Sequence, residues 1–208
     1  MRGLRLYAMW LTLWTLFVPM SAMAVMAKGT PPNVLVHKKT TQILHLIEVN
    51  RGKYKRDKQA LYAMVDQNIV PYFDFKRMSR WVLARYWRTA SAAEREAFTT
   101  QFRALLVRTY ATALLSYSGQ RIAYLPYREN PQSRHAEVRT EVIENNGGSN
   151  IPIDYMFVHQ EGGWKVYDVT IDGVSLVTNY RSVYASKVRH QGLDALIASM
   201  KRVNERDS

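Results

Sequence analysis

The hydrophobic periodicity of this chain changes twice, and this change restricts its fold more than any other feature. Over residues 33–119, apolar residues recur every three or four positions, as in amphipathic helices. Over residues 121–171 the period falls to two, as in half-buried strands. The helical period returns over residues 180–200. Helices, then a strand meander, then helices predict an α+β fold, in which helices pack on an antiparallel sheet of about four strands.

Local signals predict where several elements begin and end. Asp74 is a candidate N-cap for the third helix, and Ser91 with Glu94 forms a capping box that opens the longest helix. Residues 51–58, RGKYKRDK, are interpreted as a basic loop between the first two helices. The first strand is expected over residues 121–129, with Pro126 marking an edge or a bulge.

The first 27 residues predict a secretory signal peptide. Arg2 and Arg5 precede an apolar run at residues 6–20, and small residues follow up to Ala27. The apolar run is shorter than the roughly 20 residues that a spanning helix needs, so a retained membrane anchor is the weaker alternative. Cleavage is expected after Ala24 or Ala27, and residues 28–208 are expected to form one exported domain.

Composition excludes several functions. There is no cysteine, so a disulfide, a thiol nucleophile and a zinc–thiolate site are all excluded. An exported protein without disulfides is consistent with the bacterial periplasm. The formal net charge is +12, but export argues against a nucleic-acid partner. Anionic surfaces, such as acidic phospholipid headgroups or an acidic protein, remain as partners.

No catalytic or metal-binding signature is present in the sequence. The five histidines lack the spacing of a helical metal pair, and there is neither a Gly-x-Ser-x-Gly motif nor a P-loop. Asp154 and Asp168 lie on predicted strands, so a small cavity enzyme that uses one of them as a base is one alternative. An envelope adaptor with a solid interior is another. We expect neither catalytic residues nor a bound metal or cofactor.

The last predicted strand and its continuation, WKVYDVTIDGVSLVTNYR at residues 164–181, carry apolar residues on both faces. Such a strand is either buried on both sides by protein or has one face against an apolar ligand. Periodicity alone leaves both possibilities open.

Three segments resemble a known family: VPYFDFKRMSRWVLARYW (70–87), FRALLVRTYATALLSY (102–117) and GWKVYDVTIDGVSLVTNYRSVY (163–184), the last followed by GLDALI. They are similar to the MlaC / toluene-tolerance (Ttg2) family of periplasmic phospholipid-binding proteins. The resemblance covers roughly residues 38–200. One departure is Ala84, where the family usually has glycine; we expect Ala84 to adopt an ordinary helical conformation.

The resemblance implies a periplasmic carrier that holds phospholipid tails in an internal apolar cavity and leaves the headgroup outside. Its implied partners are an outer-membrane lipoprotein complex and an inner-membrane ABC transporter with an MCE-domain protein. A branch of the family accompanies hopanoid biosynthesis, so a hopanoid is the alternative ligand.

If the resemblance holds, the cavity wall is expected to come from the last strand and the turn after it, from the neighbouring strands and from the longest helix. The candidate lipid contacts are Tyr110, Leu114, Val138, Ile153, Tyr155, Val166, Val169, Ile171, Val174, Leu176 and Val177. The weaker candidates for contact with the phosphate or with a partner are Lys53, Lys55, Arg56 and Arg181.

Overall fold

A computed structural model describes residues 29–145 and 147–206, and the expected signal peptide at residues 1–27 lies outside these ranges. The helices are α1 (Pro32–Arg56), α2 (Lys58–Asn68), a 3-10 turn (Val70–Tyr72), α3 (Phe75–Leu83), α4 (Tyr86–Thr89), α5 (Ala92–Leu114), α6 (Leu176–Gln191) and α7 (Leu193–Arg206). The strands are β1 (Arg121–Tyr124), β2 (His135–Ile143), β3 (Ile151–Gln160), β4 (Gly163–Ile171) and β5 (Val174–Ser175). In the described part of the chain, no helix combines the length and hydrophobicity needed to cross a bilayer.

The strands form one sheet in sequence order, β1-β2-β3-β4-β5, and every neighbouring pair is antiparallel. The α+β class is therefore confirmed, with the two-residue β5 added to the four expected strands. A register shift at Met156/Phe157 makes a bulge between β3 and β4. The short β5 pairs only with the end of β4. Farther along the same edge of β4, the segment after the 3-10 turn covers the strand, and the Asp74 N–H there donates to the Val166 carbonyl at 2.8 Å.

The predicted helix caps are confirmed. The Asp74 carboxylate accepts a hydrogen bond from the Arg77 N–H at 2.9 Å and so opens α3. At the start of α5, the Ser91 hydroxyl accepts from the Glu94 N–H, while the Glu94 carboxylate accepts from the Ser91 N–H at 2.7 Å. Both bonds satisfy amides that the helix itself leaves unpaired.

Two predicted boundaries are wrong. Residues 51–56 are the last turns of α1 instead of a loop, and Tyr54 within them is buried against α2 and α5. The basic side chains there suit a helix C-terminus, which carries partial negative charge. The first strand ends at Tyr124 instead of continuing to residue 129, since Pro126 has no N–H to extend the pairing with β2.

Ala84 also departs from expectation. It ends α3 with φ 49° and ψ −113°, a positive-φ backbone conformation that glycine adopts easily and alanine does not. A glycine here would be free of this strain, so the chain carries backbone strain where α3 ends.

The buried side chains form three clusters. One lies among α3, α5, α6 and α7, and it includes Phe98, Phe102 and Tyr184. A second joins α1, α2 and the second half of α5. The third lies on the inner face of the sheet and includes Val36 from α1.

Candidate functional site

A cavity of about 580 Å³ lies between the inner face of the sheet and the helices α1 and α5. Most of its wall is aliphatic or aromatic. The lining residues are Leu35, Val36, Lys39, Thr40, Ile43 and Leu44 from α1; Asn68, Ile69, Tyr72 and Phe73 around the 3-10 turn; Tyr110, Ala113, Leu114, Ser116 and Tyr117 in and after α5; and Gln120, Ile122, Thr140, Val142, Glu144, Ile151, Ile153, Tyr155, Phe157, Val166 and Ile171 from the sheet and its ends.

The floor of the cavity follows from strand alternation. Ile151, Ile153 and Tyr155 are two residues apart on β3, so their side chains point to the same face. These apolar residues are only half-buried because they face the cavity. On β2, by contrast, Val138 on the same face is 2% exposed because other side chains pack over it. The inner face of the sheet thus has a packed part and a hollow part.

The roof of the cavity is α1, an element that the sequence did not predict as part of the wall. Val36 packs into the cluster on the sheet, whereas Ile43 packs into the cluster with α2 and α5. Leu35 and Leu44 beside them are half-buried and line the cavity. The sequence feature that could have indicated this role of α1 is its two pairs of adjacent apolar residues, Leu35 with Val36 and Ile43 with Leu44. Such pairs widen the apolar stripe of the helix beyond what packing against one neighbour needs.

The polar groups of the inner wall are largely paired within the protein. The Thr140 hydroxyl donates to the Ile153 carbonyl at 3.1 Å, and the Tyr155 hydroxyl hydrogen-bonds with Thr140. Burial raises the pKa of Tyr155 to about 12, so the phenol stays neutral at physiological pH. Among the described lining residues, Lys39 and Glu144 are the only Lys, Arg, Asp or Glu side chains, and the rest of the wall offers an apolar ligand a neutral surface.

One wall residue connects the cavity to the helical core. Tyr110 lines the cavity and hydrogen-bonds with Tyr180 of α6, whose ring packs edge-on against Phe102 at 5.3 Å. Burial is the main cause that raises the pKa of Tyr110 to about 12, and the nearby Tyr180 adds to it. The position of this part of the wall thus depends on how α6 packs against α5.

The rim of the cavity is polar on the side where α1 meets α2 and the 3-10 turn. The Lys39 ammonium lies 4.4 Å from the centre of the Tyr72 ring and donates to the Gln42 amide oxygen at 3.0 Å. The Gln42 amide in turn donates to the Asn68 side-chain oxygen at 3.1 Å. Apolar depth with a polar rim suits an amphipathic ligand.

Six of the eleven residues proposed from the sequence line the cavity: Tyr110, Leu114, Ile153, Tyr155, Val166 and Ile171. Their contact with lipid stays a prediction.

The other five proposed residues lie outside the cavity lining. Val138 and Val169 are directly opposite Tyr155 on the two neighbouring strands, and Leu176 belongs to the same packed cluster. The larger Tyr155 side chain reaches the cavity between its two smaller neighbours. Val177 packs into the helical core, and Val174 is 54% exposed on β5. The chain reverses at residues 172–173 and enters α6, which carries this segment away from the cavity.

None of the four basic residues proposed for contact with the phosphate or with a partner lines the cavity, and their contact with a partner stays a prediction. The Arg181 guanidinium donates to the Trp81 carbonyl at 2.7 Å and so ties α6 to α3. Lys53, Lys55 and Arg56 are on the last turn of α1, several helical turns from Lys39. The rim cation is Lys39 instead, which sequence periodicity did not separate from its exposed neighbour Lys38.

The two carboxylates considered for catalysis lie on the sheet away from the cavity lining. Asp168 accepts hydrogen bonds from the Ser175 hydroxyl at 2.6 Å and the Val177 N–H at 3.1 Å, which fixes the start of α6. Asp154 lies opposite Arg139 in the β2–β3 pair. Neither aspartate lines the cavity. Within the described ranges there is no group of three or more His, Cys, Asp or Glu residues that could hold a metal ion.

The antiparallel sheet, its helical cover and the hollow between them define an α+β protein with an internal apolar cavity. Comparison with known protein families identifies the family within this class. The sequence model described as MlaC protein matches residues 37–202, and the chain belongs to this family.

Two curated relatives are similar to the chain over most of its length. It is 30% identical over 175 residues to the Haemophilus influenzae protein named intermembrane phospholipid transport system binding protein MlaC, an alignment that covers 83% of this chain and 82% of the relative. It is 28% identical over 164 residues to the toluene tolerance protein ttg2D of Pseudomonas putida, covering 78% and 75% of the two chains.

A solved structure has the same fold. The phospholipid-binding protein of Ralstonia solanacearum, determined in complex with a phospholipid, superposes with a TM-score of 0.77 at 30% sequence identity. The superposition covers 86% of this chain and 99% of that protein.

Proposed function

We propose that this chain is a phospholipid carrier of the periplasm, which encloses acyl chains in the cavity and leaves the headgroup at the polar rim. The observation that carries the proposal is the apolar cavity of about 580 Å³ beneath α1. Its support comes from the Ralstonia relative of the same fold, whose structure contains a phospholipid. The proposal includes removal of residues 1–27 as a signal peptide and contains no catalytic step.

The size of the cavity suits hydrocarbon. A volume of 580 Å³ holds about twenty groups the size of a water molecule, which is close to the size of a methylene. Burial of one methylene stabilises by about 0.8 kcal/mol, so a tail of some fifteen methylenes contributes on the order of 12 kcal/mol. A tail seated in the cavity is therefore held about as well as in a bilayer.

The same free energy makes release slow. A tail that leaves into water loses nearly all of that stabilisation before it reaches another membrane. The carrier therefore needs partners that accept the tail directly. We propose an outer-membrane lipoprotein complex on one side and an inner-membrane ABC transporter with an MCE-domain protein on the other, in keeping with the name of the Haemophilus relative as part of an intermembrane phospholipid transport system.

Native mass spectrometry of the purified protein, followed by lipid extraction, tests the proposal. We expect the protein to carry phospholipid when it is purified without detergent. A hopanoid in its place would keep the carrier function and change the ligand. Protein that is repeatedly empty under these conditions would refute the proposal.

A further inference from the structure

Among the described residues that line the cavity, Lys39 is the only lysine or arginine. Its ammonium lies at the rim, above the Tyr72 ring. Among the described residues, no carboxylate lies within ion-pairing distance of Lys39, and its hydrogen bond is to the neutral Gln42 amide. The ammonium of this half-buried lysine therefore remains available to an anionic ligand.

The location of this charge matches the geometry of an amphipathic lipid. Tails enter the apolar depth, but a phosphate cannot follow without losing its hydration, so it stops at the rim. The methylene stem of a lysine packs on apolar surface while its ammonium stays at the water boundary. Lys39 lies one helical turn after Leu35 on the same face of α1, and its ammonium faces the rim.

We infer that Lys39 binds the phosphate of the bound lipid and gives the cavity a preference for net-anionic phospholipids over zwitterionic ones, an inference that rests on the proposed function. A zwitterionic headgroup carries its own cation close to the phosphate, which competes with Lys39 for that charge. An anionic headgroup such as phosphatidylglycerol has no such cation.

The chain supplies a matched control. Lys38 is adjacent on α1, is exposed and does not line the cavity. Lys38→Met and Lys39→Met therefore remove the same charge from the same helix, but only the second removes it from the rim. Lys39→Arg keeps the charge at the rim.

Delipidated protein is mixed in detergent with equal amounts of phosphatidylglycerol and phosphatidylcholine that have identical acyl chains. The detergent is then removed, and the bound lipids are measured by native mass spectrometry. We expect the wild type to bind about fivefold more phosphatidylglycerol, in line with one partly screened ion pair. Lys38→Met and Lys39→Arg keep this ratio. Lys39→Met brings it close to one, because phosphatidylglycerol loses its ion pair while phosphatidylcholine still binds, and added salt reduces the wild-type ratio.

Three results would overturn the inference. The first is an unchanged ratio in Lys39→Met. The second is an equal fall of the ratio in Lys38→Met, which would assign the effect to net charge. The third is loss of both lipids together in Lys39→Met, which would make the residue a part of the wall. If the wild type takes neither lipid, the proposed function itself fails, and the inference falls with it.

Discussion

Replacing Ile153 by glutamate places a carboxylate on the floor of the cavity, where a bound tail must displace its water. Ile153 is half-buried on β3 and lines the cavity between Thr140 and Ile171 of the adjacent strands. In the empty protein, water that enters from the rim can hydrate the carboxylate, so folding is affected little. In the loaded protein the same group faces hydrocarbon and must become neutral.

The cost of neutralisation sets the magnitude. A glutamate has an ordinary pKa of about 4.3, so protonating it at pH 7 costs about 3.7 kcal/mol, a factor of about 500 in lipid affinity. At pH 5 the cost is about 1 kcal/mol, a factor of about five. Since acidification favours the neutral form, lipid occupancy of Ile153→Glu should recover as the pH falls from 7 to 5.

Lipid occupancy by native mass spectrometry and stability by thermal unfolding measure the two effects separately. Ile153→Gln has similar size and polarity but no titrating group, so its smaller loss of lipid should not depend on pH. Val169→Glu is the packing control, because Val169 is 6% exposed in the packed cluster and a charge there should lower the free energy of unfolding by about 3–5 kcal/mol. Unchanged lipid occupancy of Ile153→Glu at pH 7, or unfolding as severe as that of Val169→Glu, would refute the assignment of Ile153 to a ligand-accepting wall.

Three further predictions concern stability. Ala84→Gly should raise the free energy of unfolding by about 0.5–1 kcal/mol in urea titrations, since it removes the strain at φ 49°. Asp172→Gly should give a smaller gain, because Asp172 has φ 48° in a turn that aspartate tolerates. No gain in Ala84→Gly would contradict the strained backbone. Tyr155→Phe should reduce the loss of stability at alkaline pH. The folded pKa of Tyr155 is raised from 10.0 to about 12, so this phenol contributes stability that is full below pH 10 and is lost as the pH rises to 12. Identical alkaline unfolding curves for the wild type and Tyr155→Phe would count against the buried phenol. Arg51→Met should lower the free energy of unfolding by about 1–3 kcal/mol, because the guanidinium donates to two backbone carbonyls after α5, one of them at 2.8 Å. A loss near zero in the same urea titration would show that these hydrogen bonds are weak.

The helical and sheet regions of this chain could be predicted because their signals are local. The capping box at Ser91 and the N-cap at Asp74 involve residues three positions apart, and both are present in the structure. The basic segment at residues 51–56 was misinterpreted for a non-local reason. Tyr54 in it is buried against α2 and α5, and burial decides that a polar stretch continues as helix.

The cavity wall was only partly predictable. Alternation identifies which residues share a face, so Ile153 and Tyr155 were found together with Val138, which lies on the same side of the sheet. Alternation carries no information about what covers each residue. The course of α1 over the sheet decides that Ile153 faces a cavity, whereas Val138 faces packed side chains.

By itself, the sequence determined the class of fold, the order of its elements and the family, since period, capping chemistry and the matching segments are written in neighbouring residues. The tertiary structure alone decided that helix α1 is the roof, that Lys39 instead of the basic end of α1 lies at the rim, and that the turn at residues 172–173 takes Val174 and Val177 away from the cavity. The physical reason is that a hollow is a property of distant surfaces that fail to meet, and only the packing of α1 and α5 against the sheet sets the distance between them.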